Sequence, residues 1–274
     1  MPDDNLFDRS RLREEPDPFR PREISQEEAL QLRSEVHRLP GGFRCDTERA
    51  GHPTPDNKSP LELVLDATEG FIPLWDQDVV LRWQFAKGTL DKFQNPTAAG
   101  AAIEELLAEA ILAWGDAAPV KFSKNANIWD FEIVVRGSDD CDGGGCVLAS
   151  AFFPDAGRHQ LEIYPMMFEQ PRREQVETLI HEIGHIFGLR HFFALISETA
   201  WAAEVFGEHN PFTIMNYGDE SVFTDTDRAD LKRLYTEAWS GALTHINGTP
   251  IRLVRPYHET PARGGAVAIA AART

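Results

Sequence analysis

Residues 181–191 read HEIGHIFGLRH, a short stretch that carries three histidines at fixed intervals. His181 and His185 are four positions apart, so on a helix their side chains project from the same side about one turn apart. Apolar residues at helical spacing from Val176 to Phe187 form a stripe nearly opposite the two imidazoles. The pattern therefore predicts a helix that buries one side in the core and directs both histidines into a cleft.

A third metal ligand is expected just after this helix. Catalytic zinc takes three protein ligands and a water, so two imidazoles are too few. Gly188 can adopt the left-handed conformation that ends a helix, and the chain can then turn to bring His191 to the same metal. Glu182 is adjacent to His181 and reaches metal-bound water, which suits a general base. The stretch predicts one catalytic Zn²⁺ held by His181, His185 and His191.

The spacing His-Glu-x-x-His-x-x-Gly-x-x-His resembles that of the metzincin clan of zinc endopeptidases. The resemblance implies a methionine-bearing turn beneath the metal, downstream of the third histidine. Met215, within residues 213–218 (TIMNYG), matches that turn and would be the apolar floor of the site. Tyr217 follows two positions later, as in astacins and serralysins. The resemblance implies that Tyr217 binds zinc or hydrogen-bonds the transition-state oxyanion.

The region before the histidine helix resembles a matrixin. Residues 141–154, CDGGGCVLASAFFP, are similar to the matrixin loop and upper-rim strand that pairs with extended substrate. The resemblance implies a substrate-binding edge formed by Leu148, Ala149, Ser150 and Ala151. Matrixins carry a structural-zinc histidine at the position of Ser150, so a second, structural zinc is not expected.

Hydrophobic periodicity predicts an α+β domain over residues 76–240. Strands are expected at 79–85, 120–122, 131–135, 147–153 and 161–164. Helices are expected at 98–114, from Pro171 to about Gly188, and from just after Thr224 to near Trp239. By resemblance, this is a metzincin-like peptidase domain with a mixed twisted sheet, an active-site helix and a mainly helical C-terminal subdomain.

Two extensions flank this domain. Residues 1–75 contain nine of the 18 prolines and many charges. Their composition fits a pro-segment, a partly disordered arm or a strap across the domain, and it does not choose among these. Residues 241–274 form a C-terminal extension. The turn signal in Ile246–Thr249 predicts a small hairpin there, with a frayed tail beyond it.

The chain has three cysteines, Cys45, Cys141 and Cys146. The loop between the last two is flexible enough to let them pair, but two free thiols are expected in a reducing cytosol. Matrixin zymogens carry a cysteine whose thiolate occupies the fourth zinc position. Cys45 precedes the catalytic domain as such a cysteine would, which makes it a candidate latency switch. Its neighbours match the family motif poorly, so an incidental cysteine is the alternative.

The formal net charge of −17 disfavours nucleic acid and anionic membranes as partners. No apolar run approaches the roughly 18 residues of a membrane span. Residues 1–15 lack the apolar core of a signal peptide, so the expected location is the cytoplasm, or export by a non-classical route. Three acidic residues could bind Ca²⁺, although a solvated acidic loop is the simpler interpretation: Asp139, Asp140 and Asp142.

The sequence thus predicts a zinc-dependent endopeptidase that hydrolyses peptide or protein substrates. One alternative is a zinc-binding interaction protein without turnover. The presence of Glu182 speaks against it, because a structural zinc site needs no base. Another is a latent peptidase inhibited by residues 1–75. The cleavage specificity and the oligomeric state are left open by the motifs.

Overall fold

The computed structural model describes residues 18–19, 43–44, 63–67, 70–142, 145–191, 203–206, 214–215 and 223–260. The α-helices in this part of the chain are α1 (Pro96–Trp114), α2 (Pro165–Phe168), α3 (Arg172–Ile186) and α4 (Asp225–Trp239). The strands in it are β1 (Phe43–Arg44), β2 (Leu63–Asp66), β3 (Ile72–Trp75), β4 (Val80–Phe85), β5 (Lys121–Lys124), β6 (Phe131–Val135), β7 (Asp140–Asp142), β8 (Gly145–Val147), β9 (Ala149–Ser150), β10 (His159–Ile163), β11 (Ala203–Phe206), β12 (His245–Ile246) and β13 (Thr249–Val254).

The largest sheet is mixed and has the strand order β5-β4-β6-β10-β9. Its first four strands are parallel, and β9 runs antiparallel to β10 at the sheet edge. Buried residues alternate with less buried ones along β6, as expected for a sheet that packs one face on a core. The expected α+β class is therefore confirmed, with β9 as an edge strand.

Helices α1 and α3 pack against each other and share one hydrophobic core with the sheet. Asn95 caps α1, since its side chain accepts a hydrogen bond from the Ala98 N–H at 3.1 Å. Helix α4 begins with a capping box between Thr224 and Asp227, in agreement with the predicted start. These local signals explain why the helix bounds are close to the expected ones.

The hairpin predicted at Ile246–Thr249 is confirmed as β12 and β13. Asn247 and Gly248 both have positive φ, 50° and 91°, which suits a tight two-residue hairpin turn. Strand β13 then pairs in parallel with β3. This pairing joins the last strand of the N-terminal extension, β3, to a strand of the C-terminal extension, β13.

Two other strands that the structure describes in the N-terminal extension pair with the predicted peptidase domain, residues 76–240. Strand β1 lies parallel to β8, with Phe43 opposite Cys146. Strand β2 lies antiparallel to β11, and Leu65 forms an isolated bridge with Leu189. These pairings place both pieces against the region that surrounds the three histidines.

Two expectations were wrong. The strand predicted at 147–153 is instead the short strands β8 and β9, because β8 pairs with β7 and β1 whereas β9 pairs with β10. The two expected thiols are a disulfide between Cys141 and Cys146. These cysteines stand directly opposite each other in the β7–β8 hairpin, which brings their side chains within bonding reach. The expected cytoplasmic location stays a prediction.

None of the helices that the structure describes is long and apolar enough to cross a membrane.

Candidate metal centre

The three histidines of residues 181–191 meet in the interior of the protein. His181 and His185 lie on α3, which ends at Ile186. Gly188 has φ +91°, and its N–H donates to the His185 carbonyl at 2.8 Å. The chain turns there as predicted and returns His191 to the same side. All three imidazoles are buried.

The imidazole nitrogens converge on one point. The Nε2 atom of His181 lies 3.1 Å from that of His191 and 3.2 Å from that of His185. A tetrahedral zinc with Zn–N bonds of about 2.0–2.1 Å would separate its ligand nitrogens by ~3.3 Å. The spacing therefore fits zinc.

The tautomers of two of these histidines follow from their backbone partners. His181 Nδ1 lies 2.7 Å from the Ile214 carbonyl oxygen, and His185 Nδ1 lies 2.7 Å from that of Leu189. A carbonyl can only accept, so each Nδ1 carries the proton and each Nε2 presents a lone pair. Facing lone pairs cannot hydrogen-bond each other, whereas a cation between them would be bound by both. A hydrogen bond from the other ring nitrogen to a carbonyl also fixes the orientation of a metal-binding imidazole.

The electrostatic environment keeps the imidazoles of His185 and His191 neutral. Burial lowers the pKa of His185 to about 3, and the positive charge of the buried Arg190 acts in the same direction. Burial likewise lowers the pKa of His191 well below its ordinary value, with further contributions from His185, His181 and Arg190. Neutral imidazole is the form that binds a metal, so the site is ready for an ion at neutral pH.

Met215 lies beneath the metal centre, against the backbone of α3. A Cβ added to Gly184 would stand 2.5 Å from Met215 Sδ and 3.3 Å from its Cε. Only a glycine at position 184, between His181 and His185 in the sequence, therefore leaves room for Met215. Gly184 was not among the residues predicted to support the site. The sequence did contain one indication of its role. A glycine inside a helix destabilises that helix, so its presence suggests that another group packs closely against the backbone there.

Three aromatic side chains donate hydrogen bonds to carbonyls in and just after α3. Trp75 Nε1 donates to the Ile186 carbonyl at 2.7 Å, and the Tyr235 hydroxyl donates to that of Phe187 at 3.0 Å. The last carbonyls of a helix lack partners within the helix, so these two donors satisfy groups that would otherwise be buried unpaired. Trp114 Nε1 donates to the carbonyl of Ile180, in the middle of α3, at 3.1 Å. None of the three was predicted from the sequence, because their roles depend on distant segments.

Glu182 occupies the helical turn that carries the histidines and is only 1 % exposed. A carboxylate is seldom buried to this extent unless it has partners or a functional role. Its burial beside the metal ligands distinguishes it from the solvated glutamates of the chain.

The predicted substrate-binding residues lie next to this centre. Ala149 and Ser150 form β9, which contacts α3. Leu148 and Ala149 are buried, whereas Ser150 and Ala151 are partly exposed. The ring of Phe153, just beyond them, meets the His185 ring edge-on at 5.5 Å. The edge strand β9 and the residues that follow it therefore lie directly beside the metal centre.

The remaining predicted site residues are Tyr217, Cys45 and the three aspartates of the acidic loop. Tyr217 and Cys45 lie outside the described residues. Asp139 accepts a hydrogen bond from the Met166 N–H at 2.7 Å, and Asp140 and Asp142 belong to β7. Calcium binding at these aspartates stays a prediction.

A family-model match agrees with the motif. Residues 75–199 match the family model described as Matrixin. No curated protein matches the chain. Among solved structures, "Structure of myroilysin" is similar at 13 % identity and a TM-score of 0.42, over 63 % of this chain and 98 % of that chain. The family match confirms the resemblance predicted from residues 141–154 and 181–191, and it covers all three histidines.

Proposed function

We propose that this chain, which carries a matrixin-like zinc metallopeptidase domain, is an endopeptidase acting on peptide or protein substrates, with Glu182 as its general base. The observation that carries the proposal is the convergence of three imidazoles beside a buried carboxylate, with His181 Nε2 3.1 Å from His191 Nε2 and 3.2 Å from His185 Nε2. A structural zinc site would have no use for that carboxylate. The buried carboxylate beside the three imidazoles therefore favours a peptidase over an interaction protein without turnover.

The chemistry divides between the metal and the protein. Bound zinc would supply Lewis acidity and lower the pKa of its water toward about 7. Glu182 takes the proton of the attacking water and then delivers it to the departing amine. Tyr217 hydrogen-bonds the oxyanion, a role supported by the metzincin resemblance alone.

The edge strand positions the substrate. Strand β9 ends the main sheet, so an extended peptide can add to it through backbone hydrogen bonds. The contact of β9 with α3 places that peptide beside the histidines. Leu148 and Ala149 support the strand from the core, while Ser150 and Ala151 face the peptide.

The test compares the full-length protein with Glu182→Gln, measuring zinc content and cleavage of an unstructured protein such as casein. Glutamine keeps the size of the side chain but cannot take a proton. We expect about one zinc per chain in both proteins, and activity at least 10²-fold lower in the variant. Equal activity would remove Glu182 as the base. Absence of bound zinc in the wild type would refute the metal centre, and zinc without cleavage would favour the interaction protein.

A second candidate is a latent form of the same peptidase. Strand β1 pairs with β8, which leads directly into the edge strand β9. Cys45 immediately follows β1 in sequence. We propose that the N-terminal segment occupies this edge and restrains substrate access, with the Cys45 thiolate as the fourth zinc ligand.

Two changes test latency. Cys45→Ser in the full chain should raise the basal activity at equal zinc content. Cleavage at a protease site inserted within residues 46–62 should raise it further, because β1 is then released while β2 and β3 stay in the protein. A cut near residue 76 is unsuitable, since β3 is buried and pairs with β13. Unchanged activity in both experiments would reject the latent form.

A further inference from the structure

A groove of about 420 Å³ opens beside the end of the edge strand. We call it the Arg158 groove. Its lining consists of Trp129, Glu132, Ala151, Phe152, Arg158, His159 and Gln160. This mixture of aromatic, apolar and charged groups is typical of a site that binds a side chain and orients it.

The groove continues the substrate-binding edge. Ala151 and Phe152 directly follow β9 and form one of its walls. Phe152 stacks on His159, with the rings 4.4 Å apart and nearly parallel. The next residue, Phe153, contacts His185 of the metal centre. A peptide extended along β9 therefore reaches the groove as it leaves the strand.

Arg158 is held by two aromatic rings. Its guanidinium carbon lies 4.3 Å from the centre of the Trp129 ring and 4.4 Å from that of the Tyr257 ring. Stacking fixes the plane of a guanidinium group, while the N–H donors within that plane stay available for a carboxylate. Arg158 is exposed and forms no ion pair with any residue that the structure describes.

Arg158 is the one cationic side chain among the residues that line the groove. Burial lowers the pKa of the His159 imidazole, which keeps that ring neutral at pH 7. Glu132 also lines the groove, and its Oε1 accepts a hydrogen bond from Gln84 Nε2 at 2.8 Å, which orients this carboxylate toward β4. Arg158 is therefore the group of the groove that a carboxylate of the substrate can contact.

We propose that the Arg158 groove is a substrate subsite. Arg158 selects an aspartate or glutamate side chain in the part of the bound peptide that extends past the end of β9. The proposal deepens the proposed endopeptidase function and rests on it. Tyr257, from the C-terminal extension, is a positioning residue that holds the guanidinium group in place. Bidentate pairing of arginine with a carboxylate supplies both the affinity and the geometry.

The experiment profiles cleavage of a mixed peptide library by the full chain. We expect aspartate and glutamate to be enriched at one fixed position relative to the cleaved bond. For matched peptides with glutamate or glutamine there, kcat/KM should favour glutamate by about tenfold. Arg158→Gln should bring that ratio close to one, and Arg158→Glu should favour lysine instead. A ratio unchanged by Arg158→Gln would overturn the proposal.

Two controls separate this role from a structural one. Arg252 is also exposed and stacks on an aromatic ring, 3.8 Å from the centre of Phe71, but it does not line the groove. Arg252→Gln should keep the acidic preference. Tyr257→Ala should weaken the preference, whereas Tyr257→Phe, which keeps the aromatic ring, should retain it. Loss of the preference in Arg252→Gln would count against the assignment.

A binding measurement distinguishes failure of this proposal from failure of the proposed function. The glutamate and glutamine peptides are titrated against the Glu182→Gln protein by fluorescence anisotropy. Tighter binding of the glutamate peptide, abolished by adding Arg158→Gln, supports the subsite even if no turnover is found. Equal affinities would refute the subsite and leave the peptidase assignment to its own test.

Discussion

At the scale of single residues, the metal centre depends on the absence of a side chain at Gly184. The Met215 sulfur occupies the position that a Cβ on Gly184 would need, at a distance of 2.5 Å. The carbonyl of the preceding residue, Ile214, orients His181. Displacement of Met215 would therefore also disturb a zinc ligand.

Gly184→Ala tests this contact. Helix propensity alone predicts that alanine stabilises an α-helix by roughly 0.5–1 kcal/mol. We expect the opposite: a loss of about 1–3 kcal/mol in the free energy of unfolding, and weaker zinc binding, because Met215 must move. Urea unfolding and a competitive zinc titration measure the two effects.

Gly137→Ala is the matched control for that substitution. An added Cβ there has no neighbour within 4 Å, and its φ is not in the left-handed region. We expect its stability and zinc affinity to equal those of the wild type. Wild-type zinc affinity in Gly184→Ala would contradict the role given to Met215.

At the scale of secondary-structure elements, α3 is held in place by hydrogen bonds from three surrounding elements. Trp75 belongs to β3, Trp114 to α1 and Tyr235 to α4. Each donates a hydrogen bond to a carbonyl of α3 or of the residue after it. The helix that carries two ligands is thereby fixed relative to three separate elements.

Tyr235→Phe removes one of these bonds without changing the packing. The Phe187 carbonyl would lose its hydroxyl donor in the core, and the Trp75 N–H would lose an acceptor that lies 3.3 Å away. We expect the free energy of unfolding of the zinc-loaded protein to fall by about 1–3 kcal/mol. Guanidinium unfolding measures this loss.

Tyr257→Phe serves as the control for that loss, since Tyr257 is 42 % exposed and its hydroxyl is accessible to water. We expect no shift in its unfolding midpoint. Equal midpoints for Tyr235→Phe and the wild type would show that α3 does not depend on this bond.

At the scale of the whole molecule, the C-terminal extension is attached to the rest of the protein at several points. Strand β13 pairs with β3, and Arg255 forms an ion pair with Asp76 at 2.8 Å. His258 contacts Asp130 through both its backbone N–H and its Nδ1 atom, and both side chains are buried. The segment up to Glu259 therefore helps to maintain the core around β3.

His258→Ala tests the buried attachment. Asp130 would lose a buried side-chain partner while it stays buried itself, so we expect a loss of about 1.5–3 kcal/mol in the free energy of unfolding. Arg255→Ala, which removes two ion pairs at the surface, with Asp76 and Glu259, should cost under about 1 kcal/mol. Thermal and urea unfolding of both variants measure the difference.

A double variant completes the test. If His258 acts through Asp130, then His258→Ala should cost less in an Asp130→Asn background, because no buried charge is left without its partner. Full additivity of the two substitutions would assign the loss to another contact of His258.

Local patterns in the sequence predicted much of the site and of its supporting elements. The ligand helix, the turn at Gly188, the start of α4 at Thr224 and the hairpin at Ile246–Thr249 all agree with the structure. Each depends on hydrogen bonds and side-chain spacing within a few residues. The metal ligands were predictable for the same reason, since all three lie within residues 181–191.

Contacts between distant segments required the tertiary structure. The approach of Met215 to Gly184, the parallel pairing of β13 with β3 and the stacking of Arg158 on Trp129 and Tyr257 join segments far apart in sequence. Composition and periodicity carry no information on which distant surfaces meet, because close packing and strand order are decided by the fold as a whole. The sequence by itself thus determined the metal chemistry. The tertiary structure decided what supports the metal centre and which groove adjoins it.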